Sequence, residues 1–328
     1  MKRRVELQEL NDKVMSGVVS LGYSQKDAQI ISDVLLYAQM RGNNQGVVKI
    51  ATGGIPKATE LEPFSEVSSS KCGALLSGGH SMVTIAKATD KAVSLAKSHG
   101  VGVVGVNHTK TSSGAIGYFS RRIAKAGYIA IVCVGNGGFA FVAPTGSTEA
   151  KLGTNPLSYA FPYIGGEVVF DTTTAAMAYF GIVEAKIKGV PIPKGVGFDK
   201  NGNPSTNASD VLSGSVSAFS GHKGFGFSLL VQLLGGPFTG SGIPGYNEEN
   251  GAGAFVLAID PGLLISKEEF MKRSTELATS IKEAKPSEGQ AVYLPGERGD
   301  SLAKEVQESG WIDIDEAIWD ELLTFTKM

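Results

Sequence analysis

The chain has 328 residues, 42% of them hydrophobic and 19% charged, with a formal net charge of −2. That is enough apolar material for a sizeable core in one large or two modest domains, and disorder is not expected. The near-neutral balance, with no run of like charges, excludes a field that gathers nucleic acid or an anionic membrane surface. No apolar run approaches the roughly 20 residues that cross a bilayer. The charged start Met1-Lys2-Arg3-Arg4 leads into a polar, helix-patterned segment, so a soluble cytoplasmic protein is expected. Cys72 and Cys133 stand far apart among small or apolar residues, which predicts buried free thiols. Forty-three glycines point to many tight turns and close backbone approaches.

Leu7, Leu10, Val14, Val18 and Leu21 fall at helical spacing and predict a first amphipathic helix ended by Gly22. Ser24 with Asp27 reads as the start of a second helix, whose apolar stripe is Ile31, Val34, Leu35 and Ala38. That helix leads into a polar loop, Arg41 to Lys49, with amides at its centre and cations at its ends; it reads either as solvated surface or as a carboxylate seat. Beyond a Pro- and Ser-containing connection, strands alternate with helices. Ile85 to Ala96 predicts a helix closed by His99-Gly100, Val101 to Val106 a buried strand, Gly114 to Ala126 a helix, and Tyr128 to Val134 a second buried strand. Glu167 to Asp171 predicts another strand, with a helix through Ile182 after it. The alternation argues an α/β layer around a partly parallel sheet.

Three turns carry candidate ligand chemistry. Gly153-Thr154-Asn155-Pro156 joins two apolar runs with residues that hold backbone amides away from sheet pairing, and it serves either as a connector or as a rigid ligand cradle. Gly221-His222-Lys223-Gly224 precedes an apolar, helix-length run, where free amides and a cation favour phosphate. Pro295-Gly296-Glu297-Arg298 offers a guanidinium for bidentate pairing. Asp171 ends its strand just before Thr172, a candidate helix N-cap, at the strand end where α/β ligands gather. Each turn alone reads as structural; together they favour a phosphate-bearing cofactor. Gly100 to Gly105 spells G-x-G-x-x-G but lies within the strand, and Arg121 and Arg122 stand where the ribose-binding acid belongs, about 20 residues on. No residue spacing supports a metal site or an acyl-transfer triad.

Gly153-Thr154-Asn155-Pro156 after Ala143-Pro144-x-Gly146, Phe170-Asp171-Thr172-Thr173, Ile192-Pro193 before Asp199 to Pro204, the Gly-x-Lys-Gly-x-Gly loop and Leu294-Pro295-Gly296-Glu297 together resemble the malate/L-lactate dehydrogenase family. Ureidoglycolate dehydrogenase, L-sulfolactate dehydrogenase, diketogulonate reductase and the cyclic imino acid reductases belong to it. The resemblance implies an α/β, three-layer L-sulfolactate-dehydrogenase-like fold with a mixed sheet, not a standard Rossmann fold, plus a helical domain from both chain ends. It implies residues 1–75 and 266–328 as that helical domain and 76–265 as the cofactor domain. It also implies a homodimer with active sites near the interface, NADPH or NADH as hydride donor, and a small carboxylate substrate. The cofactor-lining residues it implies are Asn136, Thr154, Asn155, Asp171, Thr172, Thr173, His222, Lys223, Gly296, Glu297 and Arg298.

The departures concern the substrate end. Where the family carries Ser-His-Gly-Val-x-Arg, this chain has Asn44-Gln45-Gly46-Val47-Val48-Lys49. Lys49 keeps a cation without the Arg fork, and Gln45 can hydrogen-bond a carbonyl but cannot deliver a proton near neutrality. A second family His gives way to Ser112, and Gly137 follows Asn136 where a polar residue is usual. His108 is a candidate replacement acid; His80 and His99 are not. The resulting expectation is a reductase of 2-imino or 2-oxo carboxylates in which Lys49 holds the carboxylate while Gln45 and Ser112 orient the reacting bond. The alternatives are a catalytically degenerate binding or scaffold protein, or a redox enzyme with an atypical substrate.

Overall fold

The computed structural model describes residues 1–326. The first half contains β1 (Lys2–Glu6), α1 (Leu7–Ser20), α2 (Gln25–Met40), α3 (Val48–Ala51), β2 (Ser65–Ser69), β3 (Gly73–Ser77), α4 (Ser81–His99), β4 (Val101–Thr109), α5 (Gly117–Lys125), β5 (Ile129–Gly135), β6 (Val142–Ala143) and β7 (Leu157–Tyr163). The second contains β8 (Gly166–Thr172), α6 (Tyr179–Lys188), β9 (Gly197–Phe198), β10 (Pro204–Ser205), α7 (Ala208–Leu212), β11 (Ser215–Ser217), α8 (His222–Gly235), β12 (Ala252–Ile259), α9 (Lys267–Lys282), α10 (Glu297–Ser309), β13 (Trp311–Asp315) and α11 (Glu316–Phe325).

The main sheet has seven strands in the order β2-β3-β4-β12-β5-β7-β8. Only β3 and β4 run parallel; the other neighbours are antiparallel. The sheet predicted as partly parallel therefore has a single parallel pair. The alternation along its strands explains the layering. Val104, Val106, Val132 and Val256 face a core shared with α4 and α5, whereas Cys133, Phe255 and Val231 of α8 form a second core with Val103, Ile131 and Leu257. Period-two burial thus presents two apolar faces, and helices cover both. α8 lies very close to its strand: a Cβ on Gly235 would stand 2.3 Å from the Gly135 nitrogen, so both positions require glycine.

Local signals hold at several helix ends. Ser24 Oγ accepts from the Asp27 amide at 3.1 Å, and Gly100 closes α4 at φ 82°. Two expectations need correction. The helix predicted from Gly114 begins at Gly117, because Gly114 turns at φ 70° and Ile116 occupies the N-cap. Thr172 is the last residue of β8 and caps no helix; α6 starts at Tyr179 with Ala178 before it. A separate small core, including Phe141, Val142, Ile182, Val211 and Val216, supports the four-stranded sheet β10-β9-β11-β6 beside α6 and α7.

The chain ends meet. β1 pairs antiparallel with β13, α10 packs against α2, and α11 packs against α1 and α3. An ion-pair cluster locks this junction. Asp300 of α10 accepts from Arg41 at 2.9 Å and Arg121 at 2.7 Å, and Arg121 also reaches Glu167 at 3.3 Å. Arg41 lies over the Tyr37 ring at 3.7 Å. At the other end of α2, His80 is buried at the N-cap of α4: its Nδ1 accepts from the Met82 amide, and its ring meets Tyr23 edge-on at 5.6 Å. Burial, and then the charge of Lys49, hold the His80 pKa down from 6.5 to about 3.

Two outcomes follow from these contacts. Asp300→Ala leaves two guanidiniums without their shared carboxylate, and is expected to lower stability by about 1–2 kcal/mol in urea unfolding, the half-exposed setting limiting the loss. His80 binds its proton less readily folded than unfolded, so its contribution is complete above pH 6.5 and is lost as the pH falls towards about 3. His80→Asn keeps a capping acceptor and removes that titration. The acid-side fall in the unfolding free energy measured by urea titration is expected to flatten, by up to about 1.4 kcal/mol per pH unit.

Candidate active site

The site is built on the ends of β5, β7 and β8. Asn155 takes φ 40° in the loop entering β7, and its side chain is fully buried. Its Nδ2 donates to the Ser228 carbonyl of α8 at 3.0 Å, while its Oδ1 accepts from the Asn136 amide at 3.4 Å. The same loop is joined to the chain beyond β8: Thr173 Oγ1 donates to the Thr154 carbonyl at 2.8 Å, and Thr174 Oγ1 to the Asn155 carbonyl at 2.9 Å. Gly153 has no room for a side chain, since a Cβ there would lie 2.2 Å from the Cβ of Asn136. Asn136, Thr154 and Thr172-Thr173 are thereby fixed along one wall of a cleft.

Asp171, half-buried on that wall, accepts from the Gly117 amide at 2.8 Å. Burial pushes its carboxyl up to about 6 against the pull of that amide. The opposite wall comes from the N-terminal loop and α3. Gln39 accepts from the Val47 amide at 3.1 Å and holds the turn into α3, which carries Lys49. Asn43 Oδ1 accepts from the Gln45 amide at 2.9 Å, fixing Gln45 at the rim.

Lys49 is fully buried, yet it lines the cleft. Its Nζ donates to Ser112 Oγ at 2.5 Å and lies 3.6 Å from the centre of the Phe180 ring. It forms no ion pair among the described residues, and burial drives its pKa well below the usual 10.5. An ammonium taken out of water without an anion is costly, so this position favours either the neutral amine or the arrival of a negatively charged ligand. Met177, Tyr179 and Phe180 of the α6 approach, with Phe139 and Phe141, add an apolar and aromatic side to the cleft.

The cleft has a volume of about 1140 Å³, and Gln45, Lys49, Ser112, Asn136, Thr154, Asn155, Asp171, Thr172 and Thr173 all line it. Single small-ligand pockets run to about 300–1,000 Å³, so there is room for a cofactor and a small substrate side by side. The other candidates lie elsewhere. His108 does not line the cleft although Thr109 and Lys110 do; it sits at φ 52° with Nδ1 3.4 Å from Ser77 Oγ. His222 and Lys223 are exposed at the start of α8, outside the cleft of their own chain. Gly296, Glu297 and Arg298 open α10 beside β8, also outside it. Glu297 is engaged with Lys282 at 2.7 Å and the Leu294 amide at 2.9 Å, and Arg298 is exposed. Sequence reasoning missed Phe180, which covers Lys49, and the aromatic group of Phe139, Phe141 and Tyr179; their clustering comes only from the fold.

The profile of the malate/L-lactate dehydrogenase family matches residues 5–323. A malate/(S)-sulfolactate dehydrogenase of Methanothermus fervidus is 32% identical over 320 residues, covering 92% of this chain and 91% of its own. The ureidoglycolate dehydrogenase (NAD(+)) of Escherichia coli K12 is 28% identical, covering 98% of this chain and 95% of its own. The solved sulfolactate dehydrogenase of Methanocaldococcus jannaschii superposes with a TM-score of 0.80 at 27% identity, covering 99% of this chain and 97% of its own. The profile spans nearly the whole chain and the fold agrees with it: this protein belongs to the malate/L-lactate dehydrogenase family of oxidoreductases.

Proposed function

We propose that the protein reduces a small 2-imino or 2-oxo carboxylate with NADH or NADPH. The observation that carries this reading is Lys49, a buried cation source with no ion-pair partner among the described residues, facing a cleft large enough for two ligands. A substrate carboxylate supplies the missing charge, and Ser112 and Gln45 lie on the same cleft to orient the adjacent C=O or C=N. When bound, the reduced nicotinamide supplies a hydride to the substrate carbon. Asn136, Thr154, Asn155 and Asp171 to Thr173 form the polar wall proposed to hold that cofactor. Among the described residues no imidazole lines the cleft, which favours imines, since an iminium arrives already protonated.

The assembly proposed is a homodimer. α8 exposes Phe227, Leu229, Leu230 and Leu233, with Phe238 just beyond, an apolar face that a second copy of the chain would cover. His222 and Lys223 open the same helix, so the cofactor role proposed for them depends on that interface. The pairing of β1 with β13 supports residues 1–75 and 266–328 as one helical domain around the cofactor domain 76–265. No described helix is long and apolar enough to cross a membrane, and the two free thiols fit a cytoplasmic location.

Nicotinamide fluorescence is expected to report saturable binding of NADH or NADPH, and a panel of 2-oxo acids and cyclic imino acids to give turnover that Lys49→Ala abolishes. Binding of neither cofactor sinks the enzyme reading in favour of a scaffold; turnover of oxo acids alone sinks the imine preference. In light scattering the chain is expected at twice its 34.2 kDa, and Leu233→Glu is expected to shift it to the monomer.

A further inference from the structure

The reduction of a carbonyl consumes one proton, and the residues of the cleft restrict where it comes from. Gln45, Asn43, Asn44 and the serines and threonines do not ionise near neutrality. His108 lies outside, and Lys110 is turned to Glu62 at 3.0 Å on the surface. Asp171, whose carboxyl burial raises to about 6, stands on the wall opposite Lys49 with its Oδ2 held by the Gly117 amide, and Glu248 is engaged by the Gly245 amide at 2.8 Å. Tyr179 is packed in the aromatic side with Phe139 and Phe141.

Lys49 and Ser112 have the geometry of a relay. Ser112 Oγ accepts from Lys49 Nζ at 2.5 Å and from the Gly114 amide at 3.2 Å, so both of its acceptor positions are filled from the protein side. With Lys49 as the ammonium that a bound carboxylate favours, the Ser112 hydrogen has no acceptor among the described residues, and the side chain lines the cleft. The hydroxyl is therefore oriented to donate towards a ligand. We infer that Lys49 is the proton donor of the reduction, passing its proton through the Ser112 hydroxyl to the reacting oxygen of a 2-oxo carboxylate. The inference rests on the reductase reading above.

A 2-oxo acid presents its carboxylate and C2 oxygen along one edge, so the ammonium can meet the first while Ser112 meets the second. As C2 gains a hydride, the C=O π pair moves onto oxygen, which takes the Ser112 proton. Ser112 takes one from Lys49, whose ammonium becomes a neutral amine. Solvent returns that proton after the 2-hydroxy acid leaves, so one hydride and one proton are consumed per turnover. The surroundings suit a lysine that gains and loses a proton. His80 is held neutral nearby, Phe180 covers the Nζ, and of the elements packed on α3, α6 has its Glu184 engaged with Lys188 while the α11 acids Glu316, Asp320 and Glu321 form no pair with Lys49.

The test compares Lys49→Arg and Ser112→Ala with the wild type on pyruvate and on Δ1-piperideine-2-carboxylate. Oxamate affinity, followed by nicotinamide fluorescence, provides a readout without turnover. Arginine keeps the cation for the carboxylate but holds its proton. Lys49→Arg is expected to lower kcat on pyruvate about 100-fold, the size of a lost general acid, with oxamate affinity and KM changing far less. The kcat loss on the imine is expected to be at least about tenfold smaller, and the alkaline limb of the wild-type pH profile on pyruvate to vanish. Ser112→Ala, a smaller change in a half-buried position, is expected to reproduce the selective loss of kcat. Equal losses on both substrates, or a Lys49→Arg enzyme with near wild-type kcat on pyruvate, would overturn the inference and leave the reductase reading standing. A wild type that turns over no member of the 2-oxo and cyclic imino acid panel overturns both.

Discussion

One buried amide ties the site to the scaffold. Asn155 stands in a left-handed conformation in the loop entering β7, and its side chain bridges α8 on one side and the end of β5 on the other. Its carbonyl, with that of Thr154, accepts from the threonines beyond β8. Strand ends that would otherwise splay are therefore fixed in one geometry, with every polar atom of the Asn155 side chain engaged in a dry setting. The polar wall of the cleft is a by-product of that bonding. Asn136, Thr172 and Thr173 point where they do because the loop between them cannot move independently.

The facing wall follows the opposite principle. Lys49 is buried without an ion-pair partner among the described residues, which costs stability. Phe180 and Ser112 partly offset that cost through the ring face and one hydrogen bond. Around it the architecture is conventional, with two apolar sheet faces covered by helices and the chain ends tied by a strand pair and the Asp300 cluster. The polar exception sits where the helical part formed by the chain ends meets the sheet.

Much of this was legible in the residues. Helical spacing found α1 and α2, Gly100 marked the end of α4, and the apolar runs at Val101 and Ile129 gave β4 and β5. The Gly100 to Gly105 glycines lie within β4 or just before it, as their place in an apolar run indicated. Thr154 and Asp171, singled out by the family motifs, and Lys49, singled out as a departure from them, line one cleft. What could not be read depends on distant partners. β1 is polar in sequence and becomes a strand only because β13 returns to it. β12 is an apolar run like many others, and its antiparallel seat between β4 and β5 has no local signal. His108 sits beside cleft residues in sequence, but the turn of the backbone there leaves it outside. The motif around Gly296 reads as a ligand turn, and in the chain it tightens against β8, with the Val169 amide donating to Pro295 at 3.1 Å.

The position of β12 has a consequence for how the protein forms. Residues 252–259 pair on both sides, with β4 and with β5, and those two strands do not pair with each other. Until some three quarters of the chain has been synthesised, the main sheet exists only as two halves: β2-β3-β4 and β5-β7-β8. Each half exposes an apolar strand edge that awaits the same insert, an arrangement open to pairing with other chains. Closure then joins residues more than a hundred positions apart in a single step, the kind of long-range pairing that slows folding. The cleft, which draws residues from both halves, acquires its shape only when that late strand has entered.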